Sequence, residues 1–210
     1  MAEKSGSMKS AVSKKPGDVA EVWKLVEGIE TAMLTTRRAD GRLVSRPMAT
    51  QARAAGADFW FVTADGMPKL REVARDPRVN LSYYRDRTRE WVSVSGDAAI
   101  SRDRAKIREL YRPDWKAWFP EEGGAKDGTP EDPRMVLIGV RAESAQYMTV
   151  DKPQPVVLFE VVKGMVTGKM PRMGDVKSVA MRRGGAGTSR ARPASRRGNG
   201  PPASRRRPRP

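Results

Sequence analysis

The stretch that most restricts what this chain can become is DFWFVTADGMPKLREVARDPRVNLSYY, residues 58–84. It sets a strand, a turn, a short helix and a second strand in one run with almost no linker. Residues 59–63 are aromatic or β-branched, types that fit a pleated, half-buried surface. Asp65-Gly66 breaks that run with a turn, and Pro68 suits the first position of a helix. Lys69, Leu70, Val73 and Ala74 then recur at helical spacing. Asp76-Pro77 stops the helix, because the residue before a proline avoids the α region. Val79, Leu81 and Tyr83 alternate as the next strand. A lysine and backbone N–H groups at a helix start form a natural seat for a phosphate. Taken alone, Lys69 reads more readily as a solvated surface charge.

The rest of the chain supplies short strands around this unit. Residues 16–30 place Val19, Val22, Trp23, Val26 and Ile29 on one helical face, with Pro16-Gly17-Asp18 as the start. Residues 31–37 form a strand, Ala39-Asp40-Gly41 a hairpin turn, and residues 43–53 the return strand. Pro47 assigns that return strand to an edge or a bulge. Residues 91–100 form a further strand with a bulge or close approach at Gly96. Ser101 is expected to cap a helix over residues 102–111. An aromatic segment, PDWKAWFP, and a Gly- and acid-rich loop lead to residues 135–150, a bent strand or strand pair. Residues 155–169 read as strand or helix. About six strands with short turns and inserted helices predict a mainly β (α+β) domain, a small antiparallel barrel with flanking helices.

The chain has 210 residues, no cysteine and no histidine. That excludes disulfides, thiol nucleophiles, most hydrolase triads and most zinc sites. No apolar run reaches the ~18–20 residues of a membrane span, and the N-terminus lacks the apolar segment of a signal peptide. A cytoplasmic protein without membrane association is the expectation. The net charge of +16 is unevenly placed. Residues 169–210 hold 13 Lys or Arg against one acid, Asp175, and residues 1–18 hold four Lys against Glu3 and Asp18. Residues 19–168 keep only +2. From Met181 onward the composition collapses to Arg, Gly, Pro, Ser and Ala, which cannot build a core. A solvated tail, a nucleic-acid-binding tail acting by counterion release and an out-of-frame extension of GC-rich DNA all suit it. The domain organisation read from these shifts is a disordered 1–15, one domain over 16–178 and a disordered basic tail over 179–210.

Four pieces lie in order on the expected barrel: VSRPMAT at 44–50, the central run from Trp60 to Tyr83, WVSVSGDA at 91–98, and KAWFP at 116–120 followed by EDPRMVLIGV. Together they resemble the general stress protein branch of the pyridoxamine 5′-phosphate oxidase-like superfamily, the FMN-binding split barrels. The resemblance implies a six-stranded antiparallel split β-barrel with flanking helices, a homodimer holding one FMN per subunit at the subunit interface. By position, Arg46, Pro47 and Met48 would line the flavin and its ribityl chain. Phe61, Val62 and Thr63 would face it from the next strand, Lys69 would bind the phosphate with Leu70 beside it, and Trp118 would lie near the ring from the KAWFP box. A phosphate with close to two negative charges calls for cations, which Lys69 and Arg46 supply. Arg46 is also the candidate for stabilising a reduced, anionic flavin. Trp118 and Phe119 read equally as core or dimer packing, and Arg46 also as the guard of an edge strand. Met67-Pro68-Lys69 stands where the oxidase itself carries a Ser-Arg-Lys-like run, and no histidine is present to contact a pyridoxal ring. Oxidation of pyridoxamine phosphate is therefore not expected.

Two functions follow from the resemblance. One is an FMN-dependent oxidoreductase whose small-molecule substrate and electron donor the sequence does not disclose. The other is a flavin-binding carrier or stress sensor without turnover. A third reading, nucleic-acid binding through the tail, is weaker, because the near-neutral domain shows no basic stripe with interleaved aromatics.

Overall fold

A computed structural model describes residues 17–150 and 175–181 of the chain. The expectations for residues 1–15, 155–169 and 182–210 lie outside the described residues. Helix α1 (Val19–Glu27) opens at Asp18, whose side chain accepts from the Ala20 amide at 2.9 Å. It buries Val22, Leu25 and Val26. Strands β1 (Thr31–Arg37) and β2 (Leu43–Ala49) form the expected hairpin, with Gly41 at φ 84° in its turn, a conformation open to glycine. Strand β3 (Phe59–Ala64), helix α2 (Pro68–Arg75) and strand β4 (Arg78–Arg85) follow as the central run requires. Then come β5 (Glu90–Ser101), α3 (Arg104–Leu110), a 3-10 turn at Pro113–Trp118, β6 (Met135–Thr149) and β7 (Asp175–Ala180).

All pairings are antiparallel, in the order β2-β1-β4-β5-β6-β3, with β7 on β6. The six expected strands all form. Residues 135–150 are one long strand and not a pair, and β7 is a seventh. Strand β6 presents one edge to β5. On its other edge β3 takes Met135–Val140 and β7 takes Ser144–Thr149. Strands β2 and β3 end the sheet. They share no ladder, and the Gln51 amide donating to the Trp60 carbonyl at 2.8 Å links them just past the end of β2. The barrel is split there. Pro47 lies in β2, an end strand, where a residue without an N–H costs no ladder bond.

Two apolar clusters follow from strand alternation. Phe59 and Phe61 of β3 point into the barrel with Leu34, Leu81, Tyr83, Val92, Ile138 and Tyr147, closed by Val22 of α1 and Leu70 and Val73 of α2. Each such side chain contributes ~1.5–3 kcal/mol on burial. Trp60 and Val62 point the other way, against Ile107, Leu110, Trp115 and Phe119. Tyr147 ties the start of α1 and strand β7 to the barrel. Its hydroxyl accepts from the Asp18 amide at 2.7 Å and donates to Glu21, which Lys177 of β7 also bonds at 2.9 Å.

Two local expectations are corrected. Ser101 ends β5, and Asp103 caps the helix, its carboxylate accepting from the Ala105 amide at 2.9 Å. A carboxylate is at least as good an N-cap as a hydroxyl. The sheet also runs to Ala180, beyond residue 178, because β7 completes the exposed half of β6.

Candidate functional site

Between the outer strand β2 and the start of α2 lies a cavity of about 550 Å³, lined by Arg38, Val44, Arg46, Met67, Lys69 and Glu72 together with Pro47 and Pro68. Alternation along β2 turns Val44, Arg46 and Met48 inward and leaves Leu43, Ser45 and Pro47 outside. The hairpin register pairs Thr36 with Val44, which sets Thr36 diagonally beside Arg46. Helix α2 brings Lys69 and Glu72 to the same side, three residues apart.

The polar groups form a closed arrangement. Arg46 Nη2 donates to Glu72 Oε2 at 2.7 Å and Arg46 Nη1 to Thr36 Oγ1 at 2.6 Å. Thr36 Oγ1 donates to the same Glu72 oxygen at 2.5 Å. The Arg46 and Glu72 side chains are 19% and 13% exposed, so the pair is shielded far more than an ordinary surface ion pair. Burial pushes the Glu72 carboxyl up, but the hydrogen bonds from Thr36 and Arg46 outweigh it and hold the group below its usual range. Lys69 Nζ donates to Thr63 Oγ1 at 2.9 Å. Half-burial pulls the Lys69 ammonium below the usual lysine value, and the Arg46 charge adds to that, while Glu72 opposes it. An anion at Lys69 would relieve this penalty on its charged form.

The helix start is a poorer seat than the sequence promises. Pro68 has no N–H, and the Leu70 amide is bonded to the Met67 carbonyl at 3.0 Å. Lys69 must therefore rely on its ammonium more than on backbone donors.

Of the residues read from the sequence, Arg46, Pro47 and Lys69 line one cavity, and Thr63 joins them through Lys69. Met48 and Leu70 are buried beneath them, and Phe61 lies fully inside the barrel. Val62 is on the opposite face of β3, since neighbouring residues of a strand point opposite ways. Trp118 is 80% exposed at the end of the 3-10 turn, and it is not among the residues lining the cavity. Its neighbours Trp115 and Phe119 are core, Trp115 Nε1 donating to buried Gln51 at 3.0 Å. Glu72, Thr36 and Arg38 were missed by the sequence reading. The signals existed, in the Lys69–Glu72 spacing and in the register fixed by Asp40-Gly41.

An antiparallel barrel left open between β2 and β3 places the chain in the class of split-barrel proteins. Residues 17–172 match the family described as pyridoxamine 5′-phosphate oxidase like, and the chain belongs to it. Protein bli-3 of Neurospora crassa is 36% identical over 152 residues, covering 71% of this chain and 73% of that protein. Among solved structures, a protein described as a general stress protein 26 from Jannaschia sp. CCS1 superposes with a TM-score of 0.59 at 27% identity, over 77% of this chain and 97% of that one. A pyridoxamine 5′-phosphate oxidase-related, FMN binding protein from Nostoc punctiforme gives 0.53 at 13% identity, over 81% and 99%. At that identity the likeness is one of fold.

Proposed function

We propose that the chain binds a flavin, FMN, with its phosphate at Lys69 in the cavity between β2 and α2, and serves as a flavin-dependent oxidoreductase of the general stress type. The observation that carries this reading is the half-buried Lys69 ammonium beside Arg46, in a cavity of a size suited to a cofactor. Family membership and the FMN binding ascribed to the Nostoc relative support it. The donor set fits the group: Lys69 and Arg46 would hold the phosphate, and the inward side of β2 would flank the ribityl chain. A bound flavin supplies redox chemistry that no side chain here offers. The protein's own part is to bind and orient. Glu72 stays ionised and committed to Arg46 and Thr36, so it is not a proton donor at neutral pH.

We further propose that the working form is a homodimer with the flavin between subunits. Met33 and Pro47 are direct partners across β1 and β2 and both face outward, and Leu43, 64% exposed, lies on the same face four residues along β2, beyond the Thr35–Ser45 pair. Covering exposed apolar side chains on one sheet face is an ordinary reason for subunits to associate there. Trp118 would then cover the partner's ring. The alternative of a flavin carrier without turnover is favoured by one observation: among the described residues lining the cavity, the one carboxylate, Glu72, is committed to Arg46 and Thr36.

The test is an absorption spectrum of the purified full chain with added FMN, followed by titration of the Lys69→Ala variant. Flavin bands that travel with the protein through gel filtration are expected. Lys69→Ala should weaken FMN by about 1.5–3 kcal/mol, the scale of a hydrogen bond to a charged group. Unchanged affinity would place the phosphate elsewhere. Reduction of the bound flavin by a nicotinamide donor separates the enzyme from the carrier.

A further inference from the structure

A second cavity, about 410 Å³, lies where the β1–β2 hairpin meets the junction of α2 and β4, and Arg37, Arg38, Arg75 and Arg78 line it with a single carboxylate, Asp76. We propose that this cavity is a separate anion site that takes the phosphoryl or pyrophosphoryl group of a small molecule. It does not depend on the first cavity holding a flavin.

The charges do not cancel internally. Asp76 is committed to Arg78 by two hydrogen bonds of 2.8 Å, and Arg37 Nε reaches it only at 3.3 Å. Arg38 finds its nearest carboxylate, Asp40, at 3.7 Å. The Arg75 side chain has no hydrogen bond or ion pair among the described residues. The C-terminal end of α2 accounts for one cation there, through the helix dipole. It does not account for four guanidinium groups brought from a hairpin, a helix and a strand to one concavity. The Arg37 and Arg38 side chains are 50% and 53% exposed and Arg75 is exposed, so they are free to turn onto an anion seated in the concavity they line, and guanidinium forks match phosphate oxygens better than any other side chain does. The cavity is compact, which fits a small anion better than a polymer backbone.

Arg38 lines both cavities, so the second opens beside the first. Lys69 and Arg75 are six residues apart on α2, about 9 Å at 1.5 Å per residue. The phosphoryl group could belong to one dinucleotide spanning both cavities or to a second molecule bound beside the flavin.

The experiment is calorimetric titration of inorganic pyrophosphate into the full chain at low ionic strength. The basic C-terminal residues are present in every variant and contribute equally. Arg75→Glu should weaken pyrophosphate at least about tenfold and leave FMN affinity unchanged, while Lys69→Ala should do the reverse. Arg75→Ala should give a smaller loss in the same direction, which guards against a charge reversal that perturbs folding. Equal pyrophosphate affinity in the wild type and both Arg75 variants overturns the site. So does no binding by the wild type, or loss in Lys69→Ala alone, which would put the anion in the flavin cavity. FAD separates the two sources. If it binds more tightly than FMN and loses that advantage in Arg75→Glu, one molecule spans both cavities. If pyrophosphate and FMN bind together and FAD gains nothing, the site serves a second molecule.

Discussion

Glu72 places a negative charge between Arg46 and Lys69, the two cations that a phosphate would use. It orients the guanidinium and at the same time lowers the net charge the anion meets. Glu72→Gln keeps an acceptor oxygen for Arg46 and Thr36 and removes the charge. FMN affinity should therefore rise by at least about 1 kcal/mol, the bulk-water scale of one charge a few ångströms away, which shielding at this site increases. Fluorescence titration reads this, and weaker binding would mean that Glu72 serves the ligand in some other way. Asp132 shows the same physics with a structural outcome. It is fully buried and accepts from Arg134 Nη2 at 2.7 Å and from the Gly128 amide at 2.9 Å, pinning the loop after the 3-10 turn. The hydrogen bonds from Arg134 hold its carboxyl down at about 2, against the opposing effect of burial. Because its folded value is depressed, the stabilisation is complete above the unfolded value near ~3.9 and is lost as pH falls toward about 2, roughly 2 kcal/mol in all. Thermal unfolding in that window should steepen with acid in the wild type and flatten in Asp132→Asn. Lys69 and Arg46 were legible in the sequence because a helix start and a strand pattern frame them. Asp132 was not, because nothing local says that this one acid among several in its loop is the buried one.

Strands and helices bounded by strong turn chemistry were readable with little error. Helix α2 begins at Pro68 and ends before Asp76-Pro77. The β1–β2 hairpin turns on Asp40-Gly41, because proline and glycine act through their own backbone limits whatever the tertiary setting. Gly96 belongs with them. The β5–β6 register shifts between Ser95 and Gly96, and a Cβ at Gly96 would stand 2.1 Å from the Arg141 carbonyl oxygen. Gly96→Ala must push the strands apart at the middle of the sheet. It should cost about 2–4 kcal/mol and lower the melting temperature by several degrees, measured by circular dichroism. A neutral outcome would mean that the bulge can relax. Strand β7 was not readable. DVKSVA has a weak alternation, and it forms because the second half of β6 needs a partner. That need is set by a strand whose single long span the local sequence left open.

At the scale of the molecule the fold class was legible and the arrangement of the site only in part. Order and composition gave an antiparallel barrel with flanking helices. They could not show that Val62 and Trp118 stand apart from Lys69 within one chain, because strand facing and loop path decide that. The outward Met33, Leu43 and Pro47 carry the corresponding prediction. Sedimentation should report a dimer for the full chain. Leu43→Asp combined with Met33→Asp should yield a folded monomer that has lost flavin, whereas a monomeric wild type would remove the interface from the proposed function. Among the described residues, no helix is long and apolar enough to cross a membrane.

The sharing of β6 among three partners has a further consequence, in how order is distributed through the molecule. A strand held along one edge by β5 and along the other by β3 and β7 opens only when most of the sheet opens. Its amides should exchange with deuterium at the rate of global unfolding. At the opposite end of the sheet, the only ladder β2 makes among the described residues is with β1, so its backbone can open more locally than that of β6. The cavity is walled by this end strand, so a ligand that adds to the Arg46–Glu72 link between β2 and α2 would slow amide exchange along β2 more than along β6.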